Sequence, residues 1–271
     1  DWELIIVDDC STDSTPDIIA EVVSSDPRIR SVRHETNRKL PAALNTGFAL
    51  ARREYLTWTS DDNLYRPLAL ATMVEYLDTH PLVSLVYAGF SKIDDSGRII
   101  GTETARPPEV LVESNAVGPC FLYRRTLHEQ AGPYAEDLFL AEDWEFWLRV
   151  FLRWQCVALP DDLYFYRWHD AMLTATRQHE VSLIVERAIM RHLPEIRSRS
   201  RILACRSRLS LARRARRRGS VAGWLRHFSA AFALSPVLAL RDPRGIRELL
   251  MAAPGWIARR VRRTLSLGKV M

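Results

Sequence analysis

A short apolar run at residues 3–7 (ELIIV) breaks off at Asp8-Asp9, and this pattern constrains the fold more than any other in the chain. A run without polar alternation fits a strand covered on both faces, as in a parallel sheet between layers of helices. Parallel strands need long crossover connections, and the residues that follow supply them. The polar turn Asp8-Asp9-Cys10-Ser11-Thr12-Asp13 leads into a predicted helix over 15–24, with Pro16 in its first turn. Residues 28–34 alternate as a second strand, and Pro41 opens an Ala- and Leu-rich helix to about residue 53. Residues 55–59 (YLTWT) read as a third strand, closed by Ser60-Asp61-Asp62-Asn63. A helix from Pro67 to about 79 and a strand over 84–93 complete a β-α-β-α-β-α-β order. That order predicts an α/β domain with a mixed, mostly parallel sheet flanked by helices.

Beyond Gly118 the pattern is less regular. Residues 121–123 fit a short strand, and 142–154 a helix that gathers Trp144, Trp147, Leu148, Phe151 and Leu152 on one side. Residues 157–168 read as a strand interrupted by Pro160-Asp161-Asp162, and after about residue 178 the chain turns helical and arginine-rich. Charge marks the same division. Residues 1–176 carry 16 Lys+Arg against 28 Asp+Glu, a net of −12, and residues 177–271 carry 22 against 5, a net of +17. The expected domains are therefore 1–177 and a basic, mainly helical region over 178–271. An acidic globule with a basic appendage excludes a uniformly nucleic-acid-binding protein, and no nucleic-acid partner is expected. With 47% hydrophobic and 26% charged residues, disorder is excluded as well. Cys10, Cys120, Cys156 and Cys205 lie far apart without metal-ligand spacing, which argues against zinc or a disulfide scaffold and fits a reducing compartment. The opening Asp1-Trp2, directly before a strand, reads like the middle of a protein, so residues are expected to precede it.

Ligands of open α/β sheets bind beyond the carboxyl ends of the strands, where Asp8-Asp9 and Asp61-Asp62 stand. Either pair alone fits a turn or a helix cap. Two pairs at equivalent strand ends fit a shared site better. No G-x-G-x-x-G or G-x-x-x-x-G-K-[ST] is present to cradle phosphate. Carboxylates repel a diphosphate unless a hard divalent cation, Mg²⁺ or Mn²⁺, is shared between them. A metal-bridged nucleoside diphosphate is the ligand this arrangement fits.

Four stretches resemble glycosyltransferase family 2 in its order and approximate spacing over residues 1–170. They are residues 7–13, Asn37-Arg38 with residues 42–47, residues 59–63, and Glu142-Asp143-Trp144. Members are inverting enzymes of GT-A fold that use nucleotide sugars. The resemblance implies a nucleoside-diphosphate sugar donor, a glycan or lipid-linked acceptor and a divalent metal. It places Asp143 as the catalytic base and Glu142 at the acceptor. Asp8, Asp9, Asp61, Arg167 and His169 fall at the nucleotide sugar, and Asp61 and Asp62 at the metal, with the division between these two left open. Lys39 stands where the family has a glycine, Leu44 where it often has an arginine, and Thr59 where many members carry the first aspartate of Asp-x-Asp. The strand and loop that help clamp the nucleobase in the family would precede residue 1.

Plainer readings stand beside these. Glu142-Asp143 can simply complement the positive end of a helix dipole, and His169 can be an ordinary structural histidine. Trp58, Trp144, Trp147 and residues 164–166 read mainly as core aromatics. The basic tail fits a solvated arginine face or an anionic membrane surface, with Trp224, Phe228, Phe232, Leu249, Leu250, Trp256 and Ile257 as apolar partners. The second option implies a cytoplasmic protein peripheral on the inner face of the cytoplasmic membrane. Two other functions compete: a phosphoacceptor receiver built on Asp8-Asp9, Asp61 and Lys92, and an inactive sugar-nucleotide-binding module.

Overall fold

The computed structural model describes residues 1–169 and 176–241. The chain divides into two compact units, Asp1–His192 and Leu193–Met271. The change of charge sign puts the division at 177/178; in the structure it falls inside a helix.

In the first unit β1 (Leu4–Asp8), α1 (Thr15–Ser25) and β2 (Ile29–Arg33) form a parallel pair with its crossover helix. They are followed by α2 (Leu40–Leu50), β3 (Tyr55–Leu56), β4 (Leu64–Tyr65) and α3 (Ala69–Thr79). Next come β5 (Val83–Ile93), β6 (Ile99–Glu103), β7 (Phe121–Arg124), α4 (Arg125–Ala131), α5 (Glu142–Arg153) and β8 (Gln155–Arg167). The pair β1 and β2 stands apart as a two-stranded sheet, and the remaining strands form a mixed sheet in the order β3-β7-β5-β8-β4, with β6 also on β5.

β5 organises this second sheet. Along one edge it pairs in parallel with β8, while β7 and then β6 share the other edge in antiparallel register. Its side chains are buried almost throughout, packing on Met73 and Leu77 of α3 and on Leu159 and Leu163 of β8. At Gly89 the neighbours close in: a Cβ there would lie 2.8 Å from the Glu103 carbonyl and 3.1 Å from that of Asp161. Glycine is required by this approach of two backbones.

Three expectations change. β1 is half-exposed rather than covered on both faces, with Leu4 40% exposed, and among the described residues it pairs with β2 alone. The strand over 55–59 shrinks to Tyr55–Leu56. Beyond it Thr57 Oγ1 donates to the Phe121 carbonyl at 2.7 Å and Thr59 Oγ1 shares a 2.6 Å hydrogen bond with the Tyr164 hydroxyl, so side chains replace the ladder. β8 is not interrupted at Pro160. Its register against β5 slips between Tyr87 and Gly89, and Ala158 through Asp162 bulge without ending the strand.

The second helical stretch comprises α6 (Gln178–Arg199), α7 (Arg201–Arg217), α8 (Val221–Leu234) and α9 (Pro236–Arg241). The unit from Leu193 onward has its own core of Cys205, Leu209, Ala212, Trp224, Phe228 and Ala231, with Trp224 stacked on Phe228 at 5.4 Å. These two rings, expected to insert into a membrane surface, are instead 3% and 4% exposed, because three short helices need aromatic volume to close a core. Phe232 is exposed. Leu249, Leu250, Trp256 and Ile257 lie outside the described residues. Among the described residues no helix is long and apolar enough to cross a membrane.

Lys39 adopts φ +73°, ψ 165° at the head of α2, a region that glycine enters freely and other residues enter at a cost of about 1–3 kcal/mol. Lys39→Gly is therefore expected to stabilise the protein, by about 1 kcal/mol once the extra freedom of glycine in the unfolded chain is offset. Urea denaturation at unchanged slope checks this, and an unchanged or lower midpoint contradicts it.

Candidate active site

The first acid pair is occupied by the protein itself. Asp8 is buried; its Oδ1 accepts from the Ser11 N–H at 2.9 Å and its Oδ2 from Arg33 Nη1 at 2.7 Å. Hydrogen bonds from Ser11, ahead of the Arg33 charge, hold its carboxyl below the usual range. Asp9 reaches across to the start of α2. Its Oδ1 meets His34 Nδ1 at 2.6 Å and accepts from the Arg38 N–H at 2.8 Å, and Oδ2 accepts from the Lys39 N–H at 2.7 Å. Burial pushes the Asp9 pKa up, but these donors together outweigh it and leave it lowered. The pair thus shapes the β1 turn and fixes the 37–39 turn in its unusual backbone, with Cys10 beside it also at positive φ.

The second pair is open on one side. Asp61 is exposed. Asp62 has a buried Oδ1 with no hydrogen-bond partner, and its Oδ2 lies 3.4 Å from His169 Nε2. His169, expected at the nucleotide sugar, thus lies beside Asp62. Arg167 has a different position. Its Nε donates to the Asp62 carbonyl at 3.0 Å and its Nη1 to the carbonyls of Asp94 and Asp95 at 2.9 and 3.2 Å, while its N–H donates to Asn63 Oδ1 at 2.8 Å. The guanidinium clamps the Asp62-Asn63 turn to the end of β5. Among the described residues no three His, Cys, Asp or Glu side chains gather at metal-binding spacing. Asp62 and His169 offer two ligands, and the orphaned Oδ1 is an oxygen of the hard type that Mg²⁺ and Mn²⁺ select.

The third acid pair opens α5. Leu140, at φ +84°, turns the chain into it, a backbone strain placed next to the reactive groups. Glu142 is 4% exposed and its Oε2 has no hydrogen-bond partner. Burial first, and then the adjacent Asp143 charge, raises its carboxyl well above the ordinary range. Asp143 keeps partial access to the surface yet lies deep, and desolvation raises its pKa too. The Trp144 N–H on Oδ1 at 2.6 Å and the Asn115 amide on Oδ2 at 2.8 Å oppose that rise. Tyr166 feels both pairs: burial first, then the charges of Asp62 and Asp143, push its hydroxyl up to about 12.

α5 is held from behind. Glu145, buried, pairs with His192 Nε2 at 2.7 Å and with Arg149 Nη2 at 3.1 Å. Phe146 and Trp147 stack with Tyr134 and Phe121. Asn45 ties α2 to the same region, donating to the Tyr134 carbonyl at 3.0 Å and accepting from its N–H at 2.8 Å. Sequence reasoning missed Asn115 and Glu145. Asn115 sits in a loop whose only signal is an asparagine ahead of Gly118. Glu145 is indistinguishable, from its neighbours alone, from any other acid in a helix's first turn. The receiver reading loses its lysine, since Lys92 Nζ pairs with Glu103 at 2.8 Å. The sheet also lacks the all-parallel order a receiver needs.

With this geometry in hand, the fold belongs to the GT-A glycosyltransferases. S. aureus TarS, solved with UDP-GlcNAc, matches 88% of this chain and 73% of its own at a TM-score of 0.61 and 17% identity. The mannosyltransferase PcManGT from Pyrobaculum calidifontis, solved with GDP-Man and Mn²⁺, matches 89% of this chain and 72% of its own at 0.51 and 19%. At those identities the likeness is one of fold. Sequence narrows it: residues 1–132 match the model of glycosyl transferase family 2. A PGL/p-HBAD biosynthesis glycosyltransferase of Mycobacterium bovis is 31% identical over 153 residues, covering 56% of this chain and 59% of the relative. The chain spans about half, or less, of the length of the curated relatives it matches.

Asp9 yields a pH prediction. Its folded pKa is lowered, so its contribution is complete above the unfolded value of about 3.9 and is lost as pH falls through the folded value. Asp9→Asn should cost about 1–3 kcal/mol at pH 7 and much less at pH 2. Thermal melts at the two pH values check this; an equal loss at both contradicts it.

Proposed function

We propose that this chain transfers a sugar from a nucleoside-diphosphate sugar to an acceptor hydroxyl with inversion at the anomeric carbon. The observation that carries the reading is a deep carboxylate, Asp143, held by the Trp144 N–H and the Asn115 amide, in a chain that also presents Asp62, an acid with an orphaned oxygen. An inverting transfer needs those two functions on opposite sides of one carbon: a proton acceptor behind the attacking hydroxyl and charge relief at the departing diphosphate.

In this reading Asp143 takes the proton from the acceptor hydroxyl as its oxygen attacks, and the raised pKa of a buried carboxylate suits it to that task. Glu142, its carboxyl pushed up to about 7 by burial and the Asp143 charge, is protonated in part at neutral pH and in that form donates a hydrogen bond that orients the acceptor. Asp62 and His169, with Asp61 next to them in the chain, are the residues that would hold a divalent cation, Mg²⁺ or Mn²⁺, which when bound would relieve charge on the leaving diphosphate. Arg167 acts through the backbone of Asp62 rather than on phosphate. Asp8 and Asp9 set the turns that face the nucleotide. GDP-Man and Mn²⁺ in PcManGT and UDP-GlcNAc in TarS support a nucleotide-sugar donor and a metal. The arginine-rich helices support placement at an anionic membrane face with a lipid-linked acceptor. With Trp224 and Phe228 in a core, that attachment rests on charge, at about 1 kcal/mol per basic residue near the surface.

Two measurements test the reading. Asp143→Asn removes the proton acceptor and keeps the shape, so transfer should fall by roughly 10²–10⁴-fold with donor affinity little changed; near-normal turnover overturns the assignment. The double variant Asp61→Asn with Asp62→Asn should abolish the Mn²⁺ dependence of nucleotide binding in calorimetry. Binding that needs no metal, and is the same in both proteins, contradicts it.

A further inference from the structure

We propose that Asn115 is a positioning residue for the transfer reaction, its side-chain amide fixing the Asp143 carboxylate in the orientation from which it accepts the proton. The inference rests on the reading of Asp143 as the base.

The amide can face only one way. Asn115 Oδ1 accepts from the N–H groups of Val117 and Gly118 at 3.1 and 3.4 Å, which leaves Nδ2 to donate to Asp143 Oδ2 at 2.8 Å. A flipped amide would set its NH₂ against two backbone donors and its oxygen against a carboxylate. Gly118 makes the turn possible. It lies at φ +68°, and a Cβ there would come within 3.1 Å of the Phe90 ring.

The loop carrying Asn115 is itself anchored to the sheet. The hydroxyl of Tyr87, buried in β5, donates to the Arg106 carbonyl at 2.6 Å. Arg106 then donates from Nη1 to Ser114 Oγ at 3.2 Å and from Nη2 to the backbone carbonyl of Asn115. On the far side, the Trp144 N–H holds Asp143 Oδ1, and the Trp144 indole donates to the Leu111 carbonyl at 2.8 Å. Each carboxylate oxygen therefore has one fixed donor, so the plane of the group is set before any substrate arrives.

In the transfer step the acceptor O–H bond breaks and its proton passes to Asp143. The acceptor oxygen bonds to the anomeric carbon while the bond to the diphosphate breaks with its electron pair. Among the described residues, Glu142 on its own helix, Tyr134 from the loop before α5 and Tyr166 from β8 are titratable groups that feel the Asp143 charge. Asn115 supplies the uncharged side-chain donor against these acids. Burial raises the Asp143 pKa, and the Asn115 amide works with the Trp144 N–H to lower it.

The test uses Asn115→Asp in the full chain. An aspartate keeps an oxygen for the Val117 and Gly118 N–H groups, so the turn survives, but it cannot donate to Asp143 when ionised. Asn115→Ser, whose one short hydroxyl cannot both accept from the Val117 and Gly118 N–H groups and reach Asp143, and which adds no charge, is the second variant. With ¹³C-carboxyl aspartate labelling, the Asp143 resonance is the one missing from Asp143→Asn. Its titration midpoint should move up in Asn115→Asp and, by less, in Asn115→Ser, while the unfolding midpoint stays near that of the parent. With UDP-GlcNAc and GDP-Man as donor probes, kcat at pH 6 should fall roughly tenfold and recover towards pH 9, with donor KM unchanged. An Asp143 titration unmoved in both variants overturns the Asn115 assignment. Full transfer by Asp143→Asn instead overturns the reading of Asp143 as the base, and the positioning role with it.

Discussion

Two adjacent carboxylates at the head of α5 must be buried without being lost as acids, and the surrounding structure is arranged around that demand. Isolated, either would be neutralised by desolvation. Asp143 is kept within reach of ionisation by one backbone N–H and one amide, whereas Glu142 lacks a partner on Oε2 and is driven towards its neutral form. In the proposed reading, one helix turn thus presents a proton acceptor and a proton donor side by side. Like charges in contact separate their affinities for protons, which is how two chemically similar groups come to play different parts.

Holding α5 in place falls to groups behind it. Glu145 is buried between His192 and Arg149, and Arg149 Nη2 reaches the Pro133 carbonyl at 2.8 Å. Breaking such a pair leaves an uncompensated charge, so its removal is costlier than the net worth of the pair. The stacked Tyr134, Phe146 and Trp147 fill the space between α5 and β7. β5 meanwhile supplies Tyr87 to anchor the Asn115 loop and ends at Ile93, beside which Arg167 fixes the Asp62 turn. In the proposed reading, the proton side and the leaving-group side of the site hang from one long central strand.

Much of this is legible in the residues. The three acid pairs, the helix at 142 and the strand at 84 are local signals: period, apolar content and turn chemistry within a few residues. His169 is found because it follows the last apolar strand. What escapes depends on distant partners. Nothing near Arg167 reveals that its donors are taken by the carbonyls of Asp62, Asp94 and Asp95. Asn115 gains its meaning from a residue 28 positions away. Lys39 shows the opposite case, where a departure from the family residue is absorbed: Asp9 and the turn hold its backbone in a glycine-like conformation. Trp224 and Phe228 escape a sequence reading because amphipathic pattern alone does not distinguish a small core from a membrane face.

The central claim is an in-line displacement with Asp143 behind the attacking hydroxyl, and its most direct test is stereochemical. The anomeric configuration of the transferred sugar, read by NMR from the product formed with an α-linked nucleotide sugar, reports which face was attacked. The account predicts a β-linked product, from one displacement with inversion. An α-linked product would require a second displacement or a front-face route, and would contradict the role given to Asp143.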